Sequence, residues 1–487
     1  MSVEASAGPG APDVPERRGH VNPADIAVGV IIGRTSEFFD FFVFAIACVI
    51  VFPTRVFSYA DPVTATIYCF AIFAIAFVAR PFGTAIFMVV DRIYGTSAKL
   101  TVALVITGTC TVALGFLPTY DSIGHFAAVA LVILRIGQGL AWGGAWDGLA
   151  SLLAVNAPEG KRGWYAMIPQ IGAAAGLLVA SGLYAYFLAT LSPQDFYDWG
   201  WRYPFFVVFA INVVALFARL RIVASPEYMA LFEANELRPQ TVVSTLRAEG
   251  RTVLLGAFVP LGTFALFHMV TVFPLSFIFL YTEELAWRFL TIEAVCAVIF
   301  IGAIIVSGTL ADRFGRRLVL GVCALLTASF SGFAPQLLDA GLFGEIYFMV
   351  TGFALLGISF GQSSGAIAGW FSQKYRYTGS ALTADFAWLF GAGFAPLVAL
   401  ILASTIGLIA AGAYLLSGAV CTLIALQLTR KWNNAEVTVQ TNEEFPTAPK
   451  QVAEGAEDGG AASSTSPEPD GTAHQTSTHE KKEPSDA

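Results

Sequence analysis

Gly33-Arg34-Thr35-Ser36-Glu37-Phe38-Phe39-Asp40-Phe41-Phe42-Val43-Phe44 sets three charges inside an apolar run of about Ile26–Phe52. That run is long enough to cross a bilayer as a helix. Arg34, Glu37 and Asp40 stand at successive i, i+3 spacings, so neighbouring members are expected close together on the helix surface. Each charge at membrane depth costs about 2.5–3.5 kcal/mol on insertion scales, and such residues normally face a bundle interior or a wet cavity. Three within two turns predict a helix lining something polar, with the rest of the chain as its wall.

The composition agrees. Of 487 residues, 56% are hydrophobic and only 13% charged, with a mean hydropathy of +0.67. Soluble domains carry about 45–50% apolar and about 25% charged residues, so this chain reads as an all-α integral membrane protein. The net charge of −8 belongs to the tail: Asn433–Ala487 holds eleven acidic residues and three lysines, and the 24 acidic and 24 basic residues elsewhere cancel. The tail is Pro/Ser/Thr/Glu-rich and is expected to be disordered. Basic residues are confined to short loops, which argues against nucleic-acid binding. Cys48, Cys69, Cys110, Cys296, Cys323 and Cys421 are scattered singly, with no metal-ligand spacing, and read as reduced core residues; no metal or cofactor is expected. Residues 1–24 are polar, and the run after them is too long for a signal peptide, so it is read as a retained first span.

Apolar runs recur at about Val63–Val90, Ala98–Leu117, Ile123–Trp146, Trp164–Leu191 and Trp201–Ile222, then at about Thr252–Tyr281, Phe289–Leu310, Leu318–Leu337, Gly344–Phe371, Thr378–Ser404 and Ile406–Leu428. With the first, these are twelve candidate transmembrane helices in two groups of six. The expected organisation is a tail 1–24, a bundle 25–222, a central loop 223–251, a second bundle 252–429 and an acidic tail 430–487. One side collects Arg92, Lys99, Lys161, Arg162, the basic residues from Arg221 to Arg251, Arg313, Arg316, Arg317, Lys374, Arg376, Arg430 and Lys431; the other has Arg55, Arg202 and Arg288. By the positive-inside rule both termini are expected in the cytoplasm, in a multi-pass cell-membrane protein.

The halves echo each other. Asp91-Arg92 after the second run matches Asp312-Arg313 after the eighth, and Lys161-Arg162-Gly163 matches Arg376-Tyr377-Thr378-Gly379. Gly139 and Gly143 on the fourth helix answer Gly357, Gly361 and Gly365 on the tenth; small residues four apart are read as helix-packing surfaces. Two such pseudo-repeats of six place a binding site near the midplane between them.

Gly308-Thr-Leu-Ala-Asp312-Arg313-Phe-Gly315-Arg316-Arg317 resembles the G-x-x-x-D-R-x-G-R-R loop of the major facilitator superfamily, with the Asp312 carboxylate expected to pair with loop arginines. The first copy is worn: Asp91, Arg92 and Gly95 remain, but Phe87 replaces the glycine and Thr96-Ser97 the basic pair. Arg135-x-x-x-Gly139-x-x-x-Gly143 resembles the R-x-x-x-G-x-x-x-G helix. Arg80-Pro-Phe-Gly83, Gly160–Gly172, Trp199–Phe205, Ser225–Tyr228 and Arg376–Gly379 are similar to the metabolite:proton symporter family, which includes shikimate, proline/betaine, citrate and α-ketoglutarate permeases. That family's G-N-F-L-E-W-Y-D-F maps onto Gly33–Phe41 with Glu37 and Asp40 kept and Arg34 in place of asparagine. On the fourth helix Asp147 stands two positions after the family's glutamate, about 200° round the helix.

The resemblance implies proton-coupled uptake of a small hydrophilic solute, an organic acid or zwitterion, by alternating access, with gating loops at Asp91, Arg92, Asp312, Arg313, Arg316 and Arg317. A proton-coupled exporter, a uniporter and a non-transporting sensor are the alternatives. Enzyme activity is disfavoured, since no nucleophile–base set or phosphate loop appears. The expected pathway residues are Arg34, Glu37, Asp40, Arg135, Gln170 and Asp385; the alternative for the charged ones is a static ion-pair cluster, and for Gln170 a simple interhelical hydrogen bond. Glu293, His268 and Glu345 are weaker candidates: Glu345 is expected to be solvated near the outer face, and His268 to be a satisfied structural residue. The bilayer, solute and protons are the expected partners of a monomer.

Overall fold

The computed structural model describes residues 23–145, 148, 153, 157–158, 160–223, 238–363 and 368–430. Residues 1–22, most of the central loop, Trp146, Asp147, Gly365 and the tail from residue 431 lie outside the described set. The described residues fall in one compact unit, Met1–Thr438.

Among them the ordered elements are helical. The membrane helices are α1 (Pro23–Ile50), α2 (Pro62–Tyr94), α3 (Thr96–Gly115), α4 (Phe126–Gly144), α5 (Arg162–Thr190), α6 (Gly200–Arg221), α7 (Leu261–Tyr281), α8 (Ala286–Phe314), α9 (Arg316–Ser331), α10 (Gly341–Phe360), α11 (Arg376–Thr405) and α12 (Leu408–Leu428). Ten pass as membrane spans on length and hydropathy alone. The other two are α1, which carries four charged residues, and α9, which has only 16 residues. Together they make the twelve that the hydropathy pattern predicts.

Burial divides the helices into inner and outer ones. Phe39 and the run Phe42–Ile50 on α1 are almost fully buried, as is nearly every residue of α7 to Ile278. Helices apolar all round are buried by others or by lipid, and α1 and α7 are the central pair. The outer helices turn Phe82, Ile86, Ile133, Val214, Phe217, Val295, Leu325 and Ile424 outward. Such a surface matches the apolar bilayer interior.

Several spans are broken where the sequence supplies proline. The seventh apolar run is expected as one helix from Thr252. Instead, helix Val242–Phe258 is kinked at Glu249 and ends before Pro260, and α7 bends again at Pro274. Proline removes a donor and clashes with the preceding turn. The Gly262 N–H in the first turn after the break donates to Thr422 Oγ1 at 2.8 Å, so that donor is satisfied within the apolar layer. In α11 a π-turn over Trp388–Gly393 precedes Pro396, and in α5 a 3-10 turn over Ile168–Gln170 contains Pro169.

The repeat shows in the backbone. Gly95 and Gly315, which follow α2 and α8, both take φ +84°, a left-handed region that favours glycine. The α2–α4 and α8–α10 crossings are both close. A Cβ on Gly143 would strike the backbone of Gly83 and Thr84, as would one on Gly139 the backbone of Ala76; Gly357 and Gly361 lie as tightly on Phe300, Ala303 and Ser307 of α8. Backbone-to-backbone approach of this kind is how helices gain dispersion energy where lipid removes the hydrophobic drive. Gly143→Leu is therefore expected to lower the thermal stability of the detergent-solubilised protein by about 1–3 kcal/mol. Gly302→Ala, at a helix position with open space around it, is expected to leave stability unchanged or raise it.

Candidate functional site

The end of the bundle at the N-terminus of α1 and the C-terminus of α12 carries most of the loop arginines and lysines, and is called the basic end below. Between the first six and last six helices lies a small cavity, lined by Arg34, Glu37, Phe38, Phe41, Phe77, Arg80, Trp142 and Trp388. The space open to a water-sized centre is about 20 Å³, room for about one water molecule.

Glu37 sits between two guanidinium groups. Its Oε2 accepts from Arg34 Nη1 at 2.8 Å, and Arg219 Nη2 on α6 is 3.4 Å away. Arg219 also donates to the Ala145 carbonyl at 3.0 Å, and Arg34 lies over the Phe38 ring at 5.1 Å. Across the cavity Arg80 Nε on α2 meets Asp385 Oδ1 on α11 at 2.7 Å, and Thr84 Oγ1 donates to Asp385 Oδ2 at 2.5 Å. This pair joins the two groups of six helices and is almost fully buried.

Asp40 does not join them. Six residues advance a helix by about 600°, so Arg34 and Asp40 project about 120° apart, and the trio spirals off one face. Asp40 is fully buried and turns to α3 and α4, accepting from Thr111 Oγ1 at 2.8 Å and Gln138 Nε2 at 3.3 Å. Arg135, fully buried, donates to Gln138 Oε1 at 3.1 Å and stacks over Phe44, Trp142 and Phe73 at 4.0, 4.8 and 5.1 Å. Arg135 and Asp40 are thus bridged by Gln138 inside the first six helices. Gln170 is buried in the 3-10 turn of α5 against α1, apart from the cavity lining.

Four residues depart from, or are absent from, the sequence expectations. Arg80 breaks the second apolar run, and the rule that singled out Arg34 finds it equally well. Arg219 was hidden by its place at the end of the sixth run, where basic residues read as loop. His268 is fully buried but not satisfied: neither ring nitrogen has a partner among the described residues, and the ring stacks on Phe41 at 5.2 Å beside Phe73 and Trp388. Glu345, expected to be solvated, is 1% exposed.

At the basic end the halves are tied twice. Asp312 Oδ1 and Oδ2 accept the Gly163 and Trp164 backbone N–H groups at 2.6 and 3.1 Å, a carboxylate on the N-terminal turn of α5. That replaces the expected pairing with loop arginines: Arg313 lies over Phe314, Arg317 donates to the Leu426 carbonyl, and Arg316 reaches the Arg162 carbonyl at 3.4 Å. In the other tie Asp91 pairs with Lys99 at 2.7 Å and accepts from Tyr377 Oη on α11 at 3.2 Å, while Lys99 donates to Tyr377 at 2.6 Å. Among the described residues Arg92 donates back to the Met88 carbonyl of its own helix. Lys99 thus takes the part that the missing basic pair at Thr96-Ser97 left open.

The sequence pattern of the sugar (and other) transporter family matches residues 26–254. The inner membrane metabolite transport protein YhjE of Escherichia coli is 36% identical over 417 residues, 83% of this chain and 94% of that protein. The shikimate transporter of the same organism is 28% identical over 77% of this chain and 86% of its own length. A crystal structure of a D-xylose-proton symporter shares the fold, with TM-score 0.62 and 16% identity over 82% of this chain and 97% of that one. A bundle of twelve apolar helices, charges turned inward to a cleft between two halves, and relatives aligned along nearly their full length make one case. The chain is a multi-pass membrane transporter, not an enzyme, and it belongs to the metabolite transporters of the major facilitator superfamily.

Proposed function

We propose that this protein takes up a small hydrophilic organic acid or zwitterion together with protons, by alternating access, as a monomer with both termini and the central loop in the cytoplasm. The observation that carries this reading is the charge balance of the cavity. Arg34, Arg80 and Arg219 stand against Glu37 and Asp385, leaving an excess of one positive charge for a solute carboxylate. Arginine binds carboxylates through paired, charge-assisted hydrogen bonds. Trp142, Trp388 and the phenylalanine rings supply apolar walls and faces on which an ammonium or ring can stack. The solutes named for two relatives, a shikimate transporter and a proline/betaine transporter, are of the same chemical kind.

Proton coupling needs a carboxyl group whose charge is not locked. Glu37, between two arginines, is held as the carboxylate that orders the cavity. Asp40 has no cation within ion-pair distance among the described residues and is held by a hydroxyl and an amide. It is the proton carrier of this reading, with Arg135 as its switchable neighbour through Gln138. Gln170 positions α5 against α1.

Uptake of shikimate, proline and betaine into proteoliposomes, with and without an inward proton gradient, tests the proposal. Gradient-driven accumulation of one of them, or of another organic acid, is expected. Equilibration without accumulation would indicate a uniporter, and no flux a sensor. Asp40→Asn is expected to abolish accumulation while sparing exchange; unchanged accumulation would remove Asp40 from the proton route. Glu37→Gln is expected to raise the half-saturation concentration, and lost coupling with unaltered binding would move the proton to Glu37.

The Arg80–Asp385 pair gives a second test. Arg80→Met alone leaves a buried carboxylate unpaired and is expected to destabilise the protein by about 3–5 kcal/mol. The double variant Arg80→Met/Asp385→Leu is expected to recover thermal stability but not transport. Recovery of both would make the pair a static tie.

A further inference from the structure

Helices α5 and α8 lie side by side and form one of the seams between the two groups of six. Asp312 closes that seam at the basic end. Toward the other end, seven residues or about 10 Å of helical rise into α8, Glu293 takes a hydrogen bond from Ser181 Oγ at 2.8 Å. Both side chains are fully buried, and Glu293 Oε1 has no partner among the described residues.

The surroundings of Glu293 hold no counter-charge. Tyr184, one turn along α5, is engaged with the Val43 carbonyl at 3.3 Å. Cys296 follows one turn along α8. Glu345, at the start of α10, is itself a buried acid, and beyond it Arg288 is paired with Glu284 at 3.2 Å. No cation of the described residues reaches ion-pair distance of Glu293. An ionised carboxylate there, with one hydroxyl for company, is a state that buried groups avoid by taking up a proton. A neutral acid can both donate to and accept from its neighbours, so it suits the closed seam. Once the seam parts, water reaches the group and the anion is again affordable. The equivalent place on the other seam, between α2 and α11, falls at Ile72, so the device is one-sided.

We infer that Glu293 is a proton-operated latch: its protonated carboxyl, bonded to Ser181, holds the outer end of the α5–α8 seam shut, and loss of that proton to water lets the seam open. Only the O–H bond of the acid changes, and the proton passes to bulk water on the side to which the seam opens. It enters and leaves from that one side, so it regulates opening without being carried across. The inference rests on the alternating-access reading, though not on proton symport.

The test uses the full-length protein in lipid nanodiscs: wild type, Glu293→Gln and Ser181→Ala. Infrared spectra are expected to show a protonated-carboxyl stretch at neutral pH that is lost in Glu293→Gln and shifted in frequency in Ser181→Ala. Amide hydrogen exchange, corrected for its intrinsic pH dependence, is expected to rise with pH at the outer ends of α5 and α8 in wild type and to stay low throughout in Glu293→Gln. A spectrum with no band assignable to Glu293, or a Glu293→Gln protein whose exchange follows wild type, overturns the latch. No solute is present in either measurement, so the result is the same for a symporter and a uniporter, and failure of the coupling proposal is separately visible in the uptake assay.

Discussion

A charge placed in a low-dielectric layer must find a partner, and in this protein several of those partners come from across the boundary between the two groups of six helices. Arg80 and Asp385 belong to different groups of six helices, as do Lys99 and Tyr377, and as do Asp312 and the α5 amides. Desolvation makes each of these groups expensive alone, so separating the halves requires replacements for all of them. Water can replace the ties at the basic end, which lie at the membrane surface. It cannot easily reach the Arg80–Asp385 pair, and under the proposed function a charged solute takes that place.

The two ties at the basic end show how far a repeated motif constrains a repeated function. Both use an aspartate at the end of the second helix of a half, followed by a glycine at φ +84°. Asp312 caps a helix N-terminus with its two oxygens, an arrangement that asks nothing of the loop arginines. Asp91 instead meets a tyrosine and a lysine, the latter supplied from α3. The worn first copy of the loop therefore keeps its aspartate and its turn, with the cation drawn from elsewhere. Sequence comparison scores that as loss; the geometry scores it as substitution.

Twelve spans, their two groupings and the charges inside α1 were legible because they depend on composition and local spacing alone. Hydropathy is blind to what happens inside a run, so the break at Pro260 and the π-turn before Pro396 passed unseen, although the prolines were in plain view. The site was legible in part. Charge inside an apolar run singled out Arg34, Glu37 and Asp40, and would have singled out Arg80 had it not been read as part of a motif. Which of them meet was not legible, because i, i+3 spacing drifts about 60° per step, enough to send Asp40 to α3 and α4 while Glu37 faces the cavity. Partners such as Arg219 and Thr84 come from helices distant in the chain, and no periodicity within a helix encodes them.

The two ion pairs at the cavity differ in what their exchange would do. Glu37, Arg34 and Arg219 all lie on α1 and α6, inside one group of six, so a solute that takes an arginine from Glu37 disturbs only that group. Arg80 and Asp385 cross the boundary, so a solute carboxylate that takes Arg80 removes a tie between the halves at the moment of binding. Asp385 is then left with Thr84, in much the position of Glu293 with Ser181: a buried carboxyl with a hydroxyl and no cation. The cavity as it stands admits about one water, so the aromatic walls of Phe41, Phe77, Trp142 and Trp388 must part before a solute of metabolite size can compete. Under the proposed function recognition and opening become a single step, because the ring faces that would grip the solute are the ones that close the space it needs.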